Sequence, residues 1–416
     1  MGTVADLVQM DTRLLPPRTR IACYVVSLVG LGTFVYGAVA GEAVRAWETL
    51  LVNFLFWSGI AQAGVVLSAL LQVTSARWGR PLKRVAEATA AFMPVSFLVL
   101  LVLFLGQSVI LPWVQEPVEA KQAWLNTPFF IARQGAGFLL LSGLSLLYVY
   151  WSVRPDIGLL QESGTGDLGF LARRLVRGWR GLNTERDVSQ QRQSRLAPAI
   201  LIVYAYVFSL QAFDFVMSLD PHWYSTLLGG YFFIGNLYIG VAFLAVVAVW
   251  THTQVRWRGH VGTDQLHDVG KLLLGFCMLW TYLFWTQYLV IWYGDLPEET
   301  AFVIHRTAEA PWAVLAWIVL FGCFLIPFVT LLSREVKRRP RGLLIIALVV
   351  LVSMWLERFM LVSPSLWTGE SLPLGLIELA MTGGFLAMFT ICYTTFLQAV
   401  PVLPLADPLF GTVEGR

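Results

Sequence analysis

Residues 334–362 read REVKRRPRGLLIIALVVLVSMWLERFMLV. Five cations, Arg334, Lys337, Arg338, Arg339 and Arg341, stand immediately before an apolar run over 342–362. A helix needs about 20 apolar residues to cross a hydrocarbon core of ~30 Å. Lys and Arg collect at the cytoplasmic end of such a span. The run itself carries Glu357-Arg358. Charge inside a span is costly, so it is there for a partner or a function.

The same pattern repeats along the chain. Apolar segments of spanning length fall at about 21–40, 50–73, 86–106, 128–152, 197–219, 228–252, 270–292, 311–333, 342–362 and 376–398. The connections alternate in basic content. With Lys271 counted at its rim, 24 Lys and Arg fall on one side and 3 on the other, and Arg133 and Arg358 lie inside spans. The asymmetry predicts a polytopic membrane protein with both termini cytoplasmic. The expected fold is an all-α polytopic membrane protein with ten transmembrane helices, arranged as two four-helix bundles plus two peripheral helices.

The expected organisation starts with a cytoplasmic tail, 1–20, then a first helix and outer loop, 21–49. A first bundle comes next over 50–227, with a cytoplasmic loop at 153–196, and a second over 228–375. A tenth helix, 376–398, leads into a cytoplasmic tail, 399–416. Within 153–196, Leu168, Leu171, Leu175, Trp179 and Leu182 make one stripe on a helix capped by Asp167. That helix is expected either on the inner leaflet or docked on a partner subunit. Residues 183–195 read as a polar linker.

Two pairs of features suggest the repeat. Asp214 precedes Pro221 by seven residues, and Glu357 precedes Pro364 by seven. Arg77-Trp78-Gly79-Arg80 matches Arg256-Trp257-Arg258. An offset of four spans links both pairs, so the repeats share an orientation.

The chain is 57 % hydrophobic and 13 % charged, which excludes an ordinary soluble domain. The basic face fits anionic lipid better than nucleic acid. Arg18 and Arg20 precede a full-length span, so the first helix is expected to be retained. The cysteines, Cys23, Cys277, Cys323 and Cys392, sit singly in four spans, without CxxC or CxxCH. Histidines 222, 252, 260, 267 and 305 do not pair at one depth as a bis-His haem requires. The chain shows no Walker or Rossmann signature. No covalently bound or metal-ligated cofactor is expected.

Candidate residues are the ionisable ones in or near spans. At the outer end lie Arg133, Asp214, Asp220, His222, Tyr288, His305, Arg306, Glu309, Glu357 and Arg358. Glu378 is close by. A sparser inner group is Glu87, His252, His267, Asp268 and Lys271, and all of these but His267 are read as proton-entry candidates. Acid, base and imidazole together suit proton relay. The plainer reading is that Arg133 and Asp214 lock two helices together and that rim charges are solvated or snorkel.

Two stretches carry a family likeness. Residues 212–226 read AFDFVMSLDPHWYST and 230–236 read GYFFIGN. Residues 285–300 read WTQYLVIWYGDLPEET, with His305-Arg306 soon after. Over about 200–365 the chain resembles the second large membrane subunit of bacterial alternative complex III, related to polysulfide-reductase membrane anchors. The resemblance implies membership of a quinol:cytochrome c or copper-protein oxidoreductase. It implies several partners: a homologous large membrane subunit, an iron–sulfur protein, a multihaem cytochrome c and small membrane subunits. Those partners would carry the haems and clusters. This chain would contribute interaction with menaquinone or ubiquinone, a proton pathway or scaffolding, with lipids around it. The rival reading is a secondary transporter built from paired bundles.

Overall fold

The computed structural model describes residues 14–163, 170–254 and 259–410, with the side chains of 163, 170 and 171 outside that set. Among these residues ten helices are long and apolar enough to cross a membrane, and no strand forms. They are α1 (Pro17–Val39), α2 (Ala43–Val73), α3 (Arg80–Leu105), α4 (Thr127–Ser163) and α5 (Leu182–Phe215). Next come α6 (Leu228–Thr253), α7 (Thr263–Gly294), α8 (Trp312–Leu332), α9 (Pro340–Leu366) and α10 (Leu376–Ala399). One end of the molecule, the basic end, carries Arg77, Arg80, Lys83, Arg84 and the 334–341 cluster; the other is the far end. The pair Arg256-Trp257-Arg258 lies outside the described residues, as do the terminal tails 1–13 and 411–416.

Helices α2 and α6 form the centre, with 89 % and 78 % of their most apolar windows buried. α2 packs on α3, α5, α6, α9 and α10, while α6 packs on α5, α7 and α9 as well. Their own contact depends on small residues. Gly59 faces Asn236 and Gly240 faces Ala63, and a Cβ at either glycine would collide. Close approach of backbones replaces hydrophobic driving force where lipid is as apolar as the side chains. α1 touches mainly α10, where Gly30 and Gly384 meet and the Ser27 hydroxyl donates to the Gly384 carbonyl at 3.4 Å.

The connection 153–196 differs from expectation. α4 has 37 residues and α5 has 34, about 55 and 50 Å at 1.5 Å per residue. Both therefore run well past a hydrocarbon core of ~30 Å. Residues 183–195 are not a linker; they are the first turns of α5. Paired side chains hold this extension. Arg154 on α4 donates to both oxygens of Glu185 on α5, at 2.8 and 3.1 Å. Pro155 has no N–H for the Trp151 carbonyl, and the Ser189 hydroxyl donates to that carbonyl at 2.5 Å.

The expected amphipathic helix is also shorter. Residues 164–169, with Asp167 and Leu168, lie outside the described set. Beyond them the chain forms one helix, Phe170–Leu175, and then turns at Gly178 and Gly181, with φ of 73° and 91°. These left-handed residues keep the helix from continuing through Trp179. Trp179 packs on Gly158 and donates to Glu162 at 2.7 Å. The end of this segment is docked on α4 of its own chain.

Helix α8 is interrupted. Residues Phe321–Leu325 are π-helical, just before Pro327. Pro327 cannot donate to the Cys323 carbonyl four residues back. Tyr238 on α6 donates to it instead, at 2.9 Å, and the Cys277 thiol adds a weaker contact at 3.5 Å. Tyr238→Phe should therefore leave a buried carbonyl short of its main partner and cost about 1–3 kcal/mol. Thermal unfolding in detergent measures this, and Tyr231→Phe, whose hydroxyl serves a different site, is the comparison.

Candidate functional site

The residues expected as one outer layer form three separate groups at the far end. In the first, Asp214 is wholly buried. It accepts from Arg133 Nε and Nη2 at 2.7 Å each, from Trp124 Nε1 at 3.1 Å and from the Gln134 amide at 2.5 Å. Arg133 also lies over the Trp124 ring at 4.2 Å. The carboxylate is saturated with donors, which fixes it in place.

The second group lies between α6 and α9. Glu357 accepts from the Tyr231 hydroxyl at 2.5 Å and from Arg358 at 2.6 Å. Arg358 in turn reaches the Asn236 side chain at 3.1 Å and sits over the Phe232 ring at 4.2 Å.

The third group sits on the short helix Pro297–Thr307 and the loop before α6. His305 bonds Glu309 at 2.6 Å and the Pro364 carbonyl at 3.0 Å. Arg306 is buried, stacks on Phe302 at 3.4 Å and donates to Ser365 at 2.6 Å. Burial pulls the Arg306 guanidinium down to about 9, and Asp220 acts in the opposite direction; it remains a cation at neutral pH. Trp223 also stacks on Phe302, at 3.7 Å. His222 is exposed. Tyr288 stacks on Phe284 and Trp285. No hydrogen bond or ion pair joins one group to another among the described residues.

The basic end is richer than the sparse group expected there. Glu87 is fully buried and accepts from Ser68 at 2.8 Å, from Ser152 at 2.8 Å and from Arg84 at 2.6 Å. Arg84 also binds Asp156. The residues 400–410 fold back over this network. Asp407 accepts from Arg80 at 3.0 Å and Lys83 at 2.9 Å, and the Ala406 N–H donates to Asp156 at 2.7 Å. Burial disfavours the Asp407 carboxylate, but Lys83 and Arg80 outweigh it and hold its pKa below the usual carboxylate range. The other inner candidates stand apart. His252 bonds the Val261 carbonyl at 2.7 Å, and Asp268 pairs with Lys271 at 2.6 Å.

Polar side chains continue from this network toward the far end, inside the group α2–α5. Tyr148 bonds Ser68 at 3.1 Å. One turn on, Gln62 accepts from Ser145 at 3.0 Å and donates to Ser142 at 3.3 Å. Beyond that, Ser58 and both amide atoms of Gln211 are buried without a partner among the described residues. Ser58 stands four residues after Phe54 and Gln211 four before Phe215, on antiparallel helices whose rings meet at 5.8 Å. The two therefore share a level. Three residues further along α5 is Asp214. The result is a buried polar column from Asp407 to Arg133. Buried polar atoms without protein partners are where internal water is expected when the space admits one.

Of this column the sequence pointed only to Glu87, Asp214 and Arg133. It gave no such hint of Ser142, Ser145, Tyr148, Ser152 and Asp156, although their spacings of 3, 3, 4 and 4 put them on one face of α4. Among the described residues no three His, Cys, Asp or Glu converge as a metal would require. Comparison with protein-family models returns no match, and comparison with curated proteins returns none.

Proposed function

We propose that this chain is a multi-pass subunit of a quinol-oxidising electron-transfer complex in the bacterial inner membrane, in which the helices α2–α5 carry protons between the two surfaces. The observation that carries this reading is the buried polar column. A structural lock needs one ion pair, whereas this interior places titratable or hydroxyl groups at successive levels from the basic end to the far end. Quinol oxidation releases two electrons and two protons. Partner subunits with haems and iron–sulfur clusters would take the electrons, and the quinone would be menaquinone or ubiquinone. The basic end is cytoplasmic in this reading, by the bias of Lys and Arg.

The bundle architecture belongs to the same proposal. α2–α5 and α6–α9 would be two four-helix bundles in parallel orientation, with Asp214 and Glu357 as counterparts. In support, α5 packs on α2 as α9 packs on α6, α4 packs on α5 as α8 on α9, and the α5–α6 contact has its counterpart in α9–α2.

A secondary transporter is the second reading. The interrupted helix α8 favours it, since such proteins bind substrate at broken helices.

Gln211 tests the column. Its amide has no protein partner, so Gln211→Leu should leave stability unchanged or raise it slightly, because an unmet polar group is removed. If water at this level passes protons, the assembled complex should slow in turnover-linked proton movement by about tenfold, equivalent to ~1.4 kcal/mol on the barrier. Gln107→Leu, also at an amide oxygen without a partner but off the column, is the control. Equal proton movement in both variants and the parent would remove the column from the mechanism.

A further inference from the structure

We infer that a groove at the basic end, between α7 and Trp78, is a binding site for one anionic phospholipid of the adjacent leaflet. The groove has a volume of about 400 Å³ and its walls are Trp78, Leu272, Phe276 and Leu279, with Asp268 and Lys271 at one end. Its shape is that of an amphiphile. Lys271 lies near the start of α7, and Leu279 is eight residues, about 12 Å, deeper along the helix axis. Gly275 lies between them on the groove floor, and a Cβ there would meet nothing within 4 Å. The floor is left open by a missing side chain.

Charge at the mouth selects the head group. Arg77, next to Trp78, is exposed, and so is Arg334. Lys271, Lys337 and Arg334 all lie within electrostatic reach of His267 at the start of α7. The stem of Lys337 is laid over Gly270. The carboxylate in the groove lining is Asp268, bonded to Lys271 at 2.6 Å, while nearby Asp264 and Glu335 are paired with Arg338 and Arg339. The balance is cationic, and a phosphate with a negative head suits it. Basic pockets between helices on the cytoplasmic side recognise such lipids, at about 1 kcal/mol per Lys or Arg, equivalent to about fivefold in affinity. The inference needs only that the chain is membrane-embedded; it does not depend on electron transfer.

Native mass spectrometry of the intact chain, in detergent with equal parts phosphatidylglycerol and phosphatidylcholine, tests it. One phosphatidylglycerol should be retained in preference to phosphatidylcholine by about fivefold or more. Lys271→Gln, at an exposed side chain, should remove most of that preference. Asp268→Asn should strengthen it, because a repelling carboxylate is gone. Gly275→Leu should fill the groove and release the lipid whatever its head group. Equal retention of the two lipids by the parent chain would overturn the site. So would an undiminished preference in Lys271→Gln, or a weakened one in Asp268→Asn.

Discussion

Asp214→Asn is expected to destabilise the assembled protein by about 3–5 kcal/mol, the usual result of leaving a buried charge without its partner. Arg133 would keep at most one of its two 2.7 Å bonds, and that one to a neutral oxygen. Trp124 and Gln134 would face an amide that offers one acceptor oxygen where two had been. Substituting both residues, Arg133→Leu with Asp214→Leu, should cost much less than the sum of the single changes, because no charge is then stranded. Thermal unfolding of the two single variants and the double variant measures the coupling. Near-additive effects would mean that the pair is not what fixes α4 to α5. A stable, assembled Asp214→Asn protein with slowed proton release would instead make Asp214 a relay group rather than a clamp.

Asp407→Asn should detach the residues 400–410 from the basic end. Arg80 and Lys83, with side chains 0 % and 2 % exposed, share this one carboxylate. Their stranding again predicts a loss of about 3–5 kcal/mol, confined to the docked segment. Hydrogen exchange over 400–410 should rise in this variant while exchange in α2 and α6 stays slow. The pH dependence is set by the depressed pKa of Asp407. A carboxylate with a lowered folded-state value contributes its full stability above its unfolded value of about 3.9 and loses it as pH falls through the folded value. Protection of 400–410 should thus show no loss from neutral pH down to about 5 and collapse only in stronger acid. Loss of protection near pH 6–7 would contradict the assignment of the latch to Asp407.

Much of the fold was legible because a bilayer constrains sequence so strongly. Runs such as 342–362 can only be buried in protein or lipid, and all ten expected spans coincide with apolar helices. What was hidden has specific causes. Residues 183–195 have no apolar period, and they are helical because α4 offers Arg154 and the free Trp151 carbonyl as partners. Pro401, Pro404 and Pro408 make the C-terminal stretch look like a tail, yet Asp407 meets Arg80 across 327 residues of chain. No local pattern announces such a pair. The column was half legible. Its stripe on α4 has helical spacing, but serines and glutamines scattered in apolar runs read as ordinary until facing helices bring Gln62 to Ser145 and Ser68 to Glu87. Among the outer candidates, Asp214, Arg306, Glu357 and Arg358 are buried charges, but different elements hold Asp214, Arg306 and the Glu357–Arg358 pair apart, which no reading of single spans reveals.

Purification of the chain from native membranes through an affinity tag tests the central claim most directly. The account predicts a coloured, multi-subunit complex with haem absorbance that is reduced when quinol is added, and quinol oxidation that slows in Gln211→Leu. A colourless preparation of this chain alone, folded and stable but without haem and without quinol oxidation, would contradict membership of an electron-transfer complex and favour the transporter.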